Sequence, residues 1–364
     1  MLLLATKVWE QRQLGKLVEL ITKGTTPRKY DGNINFIKVE NIKEMSINPK
    51  VKISESEHLG KLKRSVLKEN DILFSIAGSL GKVGLVDSTI LPANTNQALA
   101  IIRLTENKDI EYSYIFSYLK SNYIQHFIRR LPSVGAQPNL SLKQINELVI
   151  KFPNYCEQQK ISNMLDKLNN ILTLYERKYQ LYLLQFQKLQ RVIFDNSDDF
   201  ISLSYLIEIK TGNRNSQDNV KNGKYVFFDR STEIKRLNEF DFDEEAIIIP
   251  GEGTKFAPKY INGKYALHQR SYSLYNFSQE IDSKYLYYFL MTQSNTLLRY
   301  SVGTTVPSLR VSTFDHIKVP MYSKELQIKY ALTFDSLEKL MNQIKKKTNI
   351  LRSLKRFLLQ VLFL

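Results

Sequence analysis

The chain has 364 residues, with 52 Lys plus Arg against 36 Asp plus Glu, a formal charge of +16, four His, one Cys and one Trp. A 43% apolar content can build real cores and excludes wholesale disorder, and the length suits two or three domains of ~100–200 residues each. So basic a chain points to a polyanionic partner (DNA, RNA or a membrane surface), while no apolar run reaches the ~18 residues that a bilayer span requires.

Met1 to Ala5 is apolar but has no basic flank, and Lys7, Glu10 and Arg12 follow too soon for a signal-peptide core, so a cytoplasmic protein is expected. The single Cys156, among Tyr155, Glu157 and Gln158, excludes an internal disulfide framework and a thiolate metal cluster and reads as an inert thiol.

In chain order the predicted elements come twice, at an offset of roughly 170 to 190 residues. Leu17 to Leu20 with Gly24 answers Leu206 to Ile209 with Gly212. The strand candidates Phe36 to Val39 and Asp71 to Phe74 answer Tyr225 to Phe228 and Ala246 to Ile249. Each second strand runs into a glycine turn, Gly78 to Gly84 in one copy and Gly251-Glu252-Gly253 in the other. Gln97 then answers Gln269, the helix-like Tyr114 to Leu119 answers Tyr285 to Leu290, and Gly135-Ala136-Gln137-Pro138 answers Gly303-Thr304-Thr305-Val306. Each copy closes in a strand-like run ending at Pro153 or Pro320.

Beyond each Pro lies a long stretch without Pro or Gly, with apolar residues at helical spacing. The first stripe is Ile161, Met164, Leu168, Ile171, Tyr175, Tyr179, Tyr182, Phe186, Leu189 and Ile193. The second is Leu337, Leu340, Ile344, Leu351, Leu354, Leu358 and Val361, with Lys347 in the seam. A 38-residue helix is a rod of about 57 Å, longer than a ~150-residue domain is wide, so the two are expected to pair with each other. The expected class is α+β: mixed domain 1–153, helix 154–196, mixed domain 197–321, helix 322–364. Helix one leads away from the first domain, so helix two must return. The pair is therefore expected to form an antiparallel coiled coil with pseudo-two-fold symmetry.

Several segments carry a resemblance: WEQRQLGKL from Trp9, NDILFSIAGSLGKVGLV from Asn70, NTNQALAII from Asn94, SVGAQPNLSLKQINELVIKFPNYCEQQKI from Ser133, LQRVIF from Leu189 and LLQVLF from Leu359. In this order, over essentially the whole chain, they resemble the DNA specificity subunit of bacterial type I restriction-modification enzymes. The second copy differs in reading Phe200 to Tyr205 in place of the Trp9 segment, and Glu325-Leu326-Gln327 in place of Glu157-Gln158-Gln159. The resemblance implies a non-catalytic subunit. Each mixed domain would be a target-recognition domain reading half of a bipartite site in double-stranded DNA, and the helices would set the spacer. It also implies docking of two adenine methyltransferase subunits, with motor-nuclease restriction subunits joining. S-adenosylmethionine, ATP and magnesium would then belong to those partners, and this chain would hold no cofactor.

The residues agree that the chemistry lies elsewhere. The chain has no Pro-Pro, which the Asn/Asp-Pro-Pro-aromatic loop of an adenine methyltransferase needs, and Val83 follows Lys82 where a phosphate loop needs Ser or Thr. His58, His126, His268 and His316 have no metal-ligand spacing. What remains is polar readout chemistry in loops: Arg pairs with guanine, Asn and Gln with adenine, and Lys and Thr hold phosphates. In the first domain the candidates are Thr25, Thr26, Arg28, Lys29, Ser79, Lys82, Asn94, Asn96, Gln97, Gln137 and Asn139. In the second they are Asn213, Arg214, Asn215, Gln217, Lys255, His268, Gln269, Arg270, Thr304, Thr305, Ser308 and Arg310. Outside the seam, Gln185, Gln187, Lys188, Arg191, Arg352, Lys355 and Arg356 are expected to dock partners. The competing readings are a stand-alone DNA-binding or scaffold protein that pairs with its own copy, and a self-sufficient methyltransferase or endonuclease.

Overall fold

The structure, a computed structural model, describes residues 9–43, 46–105, 109–130, 139–231 and 233–363. In chain order the first mixed domain comprises β1 (Glu10–Gln13), β2 (Val18–Lys23), β3 (Ile34–Ile37), β4 (Val51–Ile53), α1 (Glu55–Leu59), β5 (Ile72–Ser75), β6 (Val83–Leu85), β7 (Ala93–Thr95), β8 (Leu99–Leu104), α2 (Tyr112–Leu119), α3 (Asn122–Arg130), α4 (Leu142–Asn146) and β9 (Val149–Phe152). The long helix α5 (Tyr155–Phe194) follows. The second domain has β10 (Phe200–Ser202), β11 (Glu208–Thr211), β12 (Tyr225–Phe228), β13 (Lys235–Leu237), β14 (Phe242–Pro250), β15 (Lys259–Leu267), β16 (Ser271–Tyr275), α6 (Ser283–Leu290), α7 (Ser294–Arg299) and β17 (Lys318–Pro320), and leads into α8 (Lys324–Val361). No helix among the described residues is long and apolar enough to cross a membrane.

The chain forms two compact units, and the division falls inside the long helices: Lys178–Lys345 is one unit, and Met1–Arg177 with Lys346–Leu364 is the other. The first unit has sheets of order β2-β8-β5-β6 and β4-β3-β7, and the second a single six-stranded sheet, β11-β16-β14-β15-β12-β13. The repeat explains the difference. Nine-residue β15 pairs β14 antiparallel at one end and β12 in parallel at the other. In the first unit the same two pairings are made by separate strands, β6 with β5 and β7 with β3. Between them lie a turn capped by Asp87 and the residue Pro92, which has no N–H for a ladder.

At the ends of the two domains, where the copies differ in sequence at Trp9 and Phe200, the backbone pairings recur. β1 pairs β9 as β10 pairs β17, and Leu14 N donates to Leu148 O as Leu203 N donates to Ile317 O. Buried Gln158 receives Glu111 N and donates to Asp109 O and Pro153 O; buried Gln327 receives Asp282 N and donates to Glu280 O and Tyr322 O. Gln327 therefore matches Gln158 rather than Gln159. Both tie the start of a long helix to the N-cap of α2 or α6.

Within each unit the two long helices run antiparallel. In the first, Arg352 Nη2 lies 2.7 Å from Glu176 Oε1, while Ile161 and Leu165 share a core with Phe363. In the second, Tyr322 donates to Ile193 O and Phe334 packs on Phe186. The expected seam holds at Ile161, Leu168, Phe186, Ile193 and Ile344, which are buried, and is corrected by one residue elsewhere. Leu165 and Leu172 are buried where Met164 and Ile171 were expected, and Thr348 takes the place of Lys347. Lys355 is also buried, at 5% exposure, in place of Leu354, so it is not an outward docking residue. Each helix carries two apolar stripes one residue apart, and packing buries the one that leaves Lys347 in water.

Phe363 seats against Tyr114 and Tyr118, with ring centroids 5.5 and 5.2 Å away, and Phe194 seats on Tyr285 and Phe289 at 5.5 and 5.4 Å. In each unit the first two turns of the domain's main helix are thus plugged at the C-terminal end of a long helix, by Phe194 as the last residue of α5 and by Phe363 two residues beyond α8.

Candidate nucleic-acid interface

In both units the loop after the first sheet strand passes so close to a neighbouring strand end that only glycine fits. A Cβ on Gly24 would lie 2.0 Å from Thr95 O, and one on Gly212 1.8 Å from Leu267 O. This crossing presses the following loop against the recurring glutamine. Thr26 Oγ1 donates to Gln97 Oε1 at 2.5 Å, and Gln269 Nε2 donates to Asn215 Oδ1 at 2.8 Å. Both glutamines are exposed, so each unit presents a preset polar edge built the same way.

Other segments join these edges. In the first unit Arg64 Nη2 reaches Thr25 Oγ1 at 3.3 Å, Lys61 Nζ donates to Thr26 O at 3.2 Å, and Arg28 N donates to Glu57. In the second, Arg270 and Arg230 both bond Glu252. Lys61, Arg64 and Arg230 escaped the sequence reading because they sit on loops far along the chain; the Lys61-Leu62-Lys63-Arg64 run was the available signal for two of them.

Thr25, Thr26, Arg28, Lys29, Asn96 and Gln97 gather at the first edge, and Arg214, Asn215, His268, Gln269 and Arg270 at the second, linked by backbone bonds such as Gln269 N to Arg214 O. Exposed Ser79 and Lys82 lie on the Gly78 turn, closed by Ser75, and Thr304 and Thr305 at the tip of a turn closed by Val302 and Ser308. Asn139, Asn213, Gln217, Lys255 and Arg310 are exposed; Gln137 lies outside the described residues.

Two candidates are corrected. Asn94 is fully buried in β7, Oδ1 lying 2.5 Å from His58 Nδ1 and Nδ2 donating to Leu62 O, so it braces α1 instead of meeting solvent. His268 is 5% exposed and its Nδ1 accepts from Arg270 N; burial lowers its pKa and keeps the ring neutral. Arg214, half-buried, is committed to Asp241 and Glu239.

Asp229, beside Arg230, accepts from Lys235 Nζ, Ser231 and Ser216. Burial would raise its pKa, but these donors outweigh burial and hold it at about 2 against an ordinary 3.8. A carboxyl depressed by folding stabilises fully above its unfolded pKa, and that contribution is lost as pH falls from about 4 through 2. Asp229→Asn is expected to flatten this acid limb in unfolding measurements from pH 2 to 7; an unchanged limb would assign it to other carboxyls.

Among the described residues no group of three His, Cys, Asp or Glu is placed to hold a metal. The family profile of the type I restriction modification DNA specificity domain matches residues 6–181 and again 199–352. The chain belongs to that family. The family is described as a domain for DNA specificity. The chain is 28% identical over 158 residues to the type I restriction enzyme EcoDI specificity subunit of Escherichia coli, a match covering 43% of this chain and 35% of that one. It is 22% identical over 395 residues to the MjaVIII specificity subunit of Methanocaldococcus jannaschii, covering 93% and 88%. Its fold matches the crystal structure of a type I restriction-modification S subunit from M. genitalium with TM-score 0.70 and 18% identity, over 98% of this chain and 96% of that one.

Proposed function

We propose that the chain is the specificity subunit of a type I restriction-modification complex whose two mixed domains each read one half of a bipartite site in double-stranded DNA. The observation that carries this reading is the twofold occurrence of one arrangement, a glycine crossing that presses a polar loop onto an exposed glutamine, at Gly24, Thr26 and Gln97 and at Gly212, Asn215 and Gln269. A formal charge of +16 suits the phosphates between. The 40 residues of α5 make a helix of about 60 Å, to which the reading gives the spacing of the half-sites.

The same reading has the long helices dock adenine methyltransferase subunits, with motor-nuclease subunits joining. Support comes from the second apolar stripe, which stays exposed: Met164, Ile171 and Leu174 with Ile350, Leu354 and Phe357 in one unit, Leu181, Leu184 and Val192 with Leu332 and Leu340 in the other. Apolar helix faces rimmed by exposed Gln185, Gln187, Lys188, Arg191, Arg352 and Arg356 suit packing against a partner's helices.

Sequencing of DNA methylation in cells carrying the chain with its partner methyltransferase tests the reading. Gln97→Ala is expected to relax one half-site by about 1–3 kcal/mol per lost base contact, and Gln269→Ala the other. Both variants altering the same half-site would refute the assignment.

A further inference from the structure

The Gly251-Glu252-Gly253 turn recurs in the sequence as the partner of the Gly78 turn, and at its centre one carboxylate engages two arginines from separate segments. Arg230 Nη1 donates to Glu252 Oε2 at 2.8 Å, and Arg270 Nη1 donates to Oε1. The Glu252 side chain is only 13% exposed, while those of Arg230 and Arg270 remain 54% and 59% exposed. The backbone around Glu252 is fixed: Gly251 N donates to Arg270 O, Leu309 N to Gly251 O, and Gly253 N to Pro307 O. Each guanidinium is therefore held by Nη1, and its Nε and Nη2 edge has no hydrogen-bond partner among the described residues.

We propose that Glu252 is a positioning residue that holds Arg230 and Arg270 for bidentate pairing with the O6 and N7 of guanine in the half-site read by the second domain. The inference rests on the DNA-reading function proposed above and names the base chemistry of that half-site. The rival occupant of a guanidinium is a phosphate. A phosphate clamp gains from net charge, and a carboxylate between two arginines cancels one of their two charges and repels the same phosphates. Bidentate pairing with a base edge gains instead from a fixed guanidinium plane, which the carboxylate supplies. Gln269, preset by Asn215 at the same edge, is prepared in the same manner.

The test uses the full chain with its partner methyltransferase in cells, read by methylation sequencing and by the melting temperature of the purified complex. Wild type should methylate a motif with guanine in the half-site that Gln269→Ala also alters. Arg270→Lys and Arg230→Lys keep the charge but lose the fork. One or both should reduce discrimination for guanine by about 5- to 100-fold while leaving the other half-site unchanged. Glu252→Gln should relax the same position with the melting temperature within a few degrees; if that variant does not fold, the two lysine variants carry the test alone. A bipartite motif with no guanine at the affected positions overturns the Glu252 assignment only. So does a lysine series that keeps the motif intact, with alanine variants merely lowering methylation at every site. Absence of any motif dependent on the chain overturns the DNA-reading function and this assignment with it.

Discussion

Phe363→Ala is expected to destabilise the first unit by about 3 to 5 kcal/mol, the range for deleting a buried aromatic side chain. Phe363 is 1% exposed and shares its core with Tyr114, Tyr118, Ile161 and Leu165, so its removal empties the space where helix end, domain helix and helix start converge. Denaturant unfolding followed by hydrogen exchange should show the loss in α2, while Phe194→Ala should place a comparable loss in α6. A cost below about 1 kcal/mol for Phe363→Ala would mean that the plug is peripheral to the core.

Asp71→Ala is expected to cost about as much, roughly 3 to 5 kcal/mol, for an electrostatic reason. The Asp71 side chain is fully buried and receives Arg103 Nε at 2.8 Å, Arg103 Nη2 at 2.7 Å and Lys68 N at 2.7 Å. An arginine guanidinium does not give up its proton in a protein, so the Arg103 left behind, with its side chain only 15% exposed, would stay charged without its partner. The double variant Asp71→Leu with Arg103→Met should lose less than the single one, since it leaves no buried charge. Urea unfolding of the three chains checks the order; a double variant less stable than Asp71→Ala would show that hydrogen-bond geometry outweighs the stranded charge.

Much of this architecture was legible because the repeat supplies an internal comparison. Tyr225 to Phe228 is the strand it was expected to be, and the apolar runs around Ile72 and Ile247 form the central strands of their sheets. The long helices were visible in their freedom from Pro and Gly. The seam was legible at Ile161, Leu168, Phe186, Ile193 and Ile344 but not at Met164, Ile171 and Leu354, where a second apolar stripe one residue away satisfies the same spacing and only tertiary packing chooses between them. Asn94 reads as a loop residue suited to adenine, yet the partner that buries it, His58, stands 36 residues away. Gln327 was hidden by an alignment set one residue off, although its three hydrogen bonds reproduce those of Gln158. The Glu252 bridge depends on three distant segments meeting, which no local pattern announces.

The placement of the two aromatic plugs also sets an order of completion during synthesis. The second domain is preceded in the chain by its own plug, Phe194, which is present from the moment the domain begins to form. The first domain must wait for Phe363. At ~5–20 residues per second, the interval between making Phe152 and making Phe363 is roughly 10 to 40 s. Throughout it, the face carried by Tyr114 and Tyr118 is open on the nascent chain, so the domain made first is the one finished last.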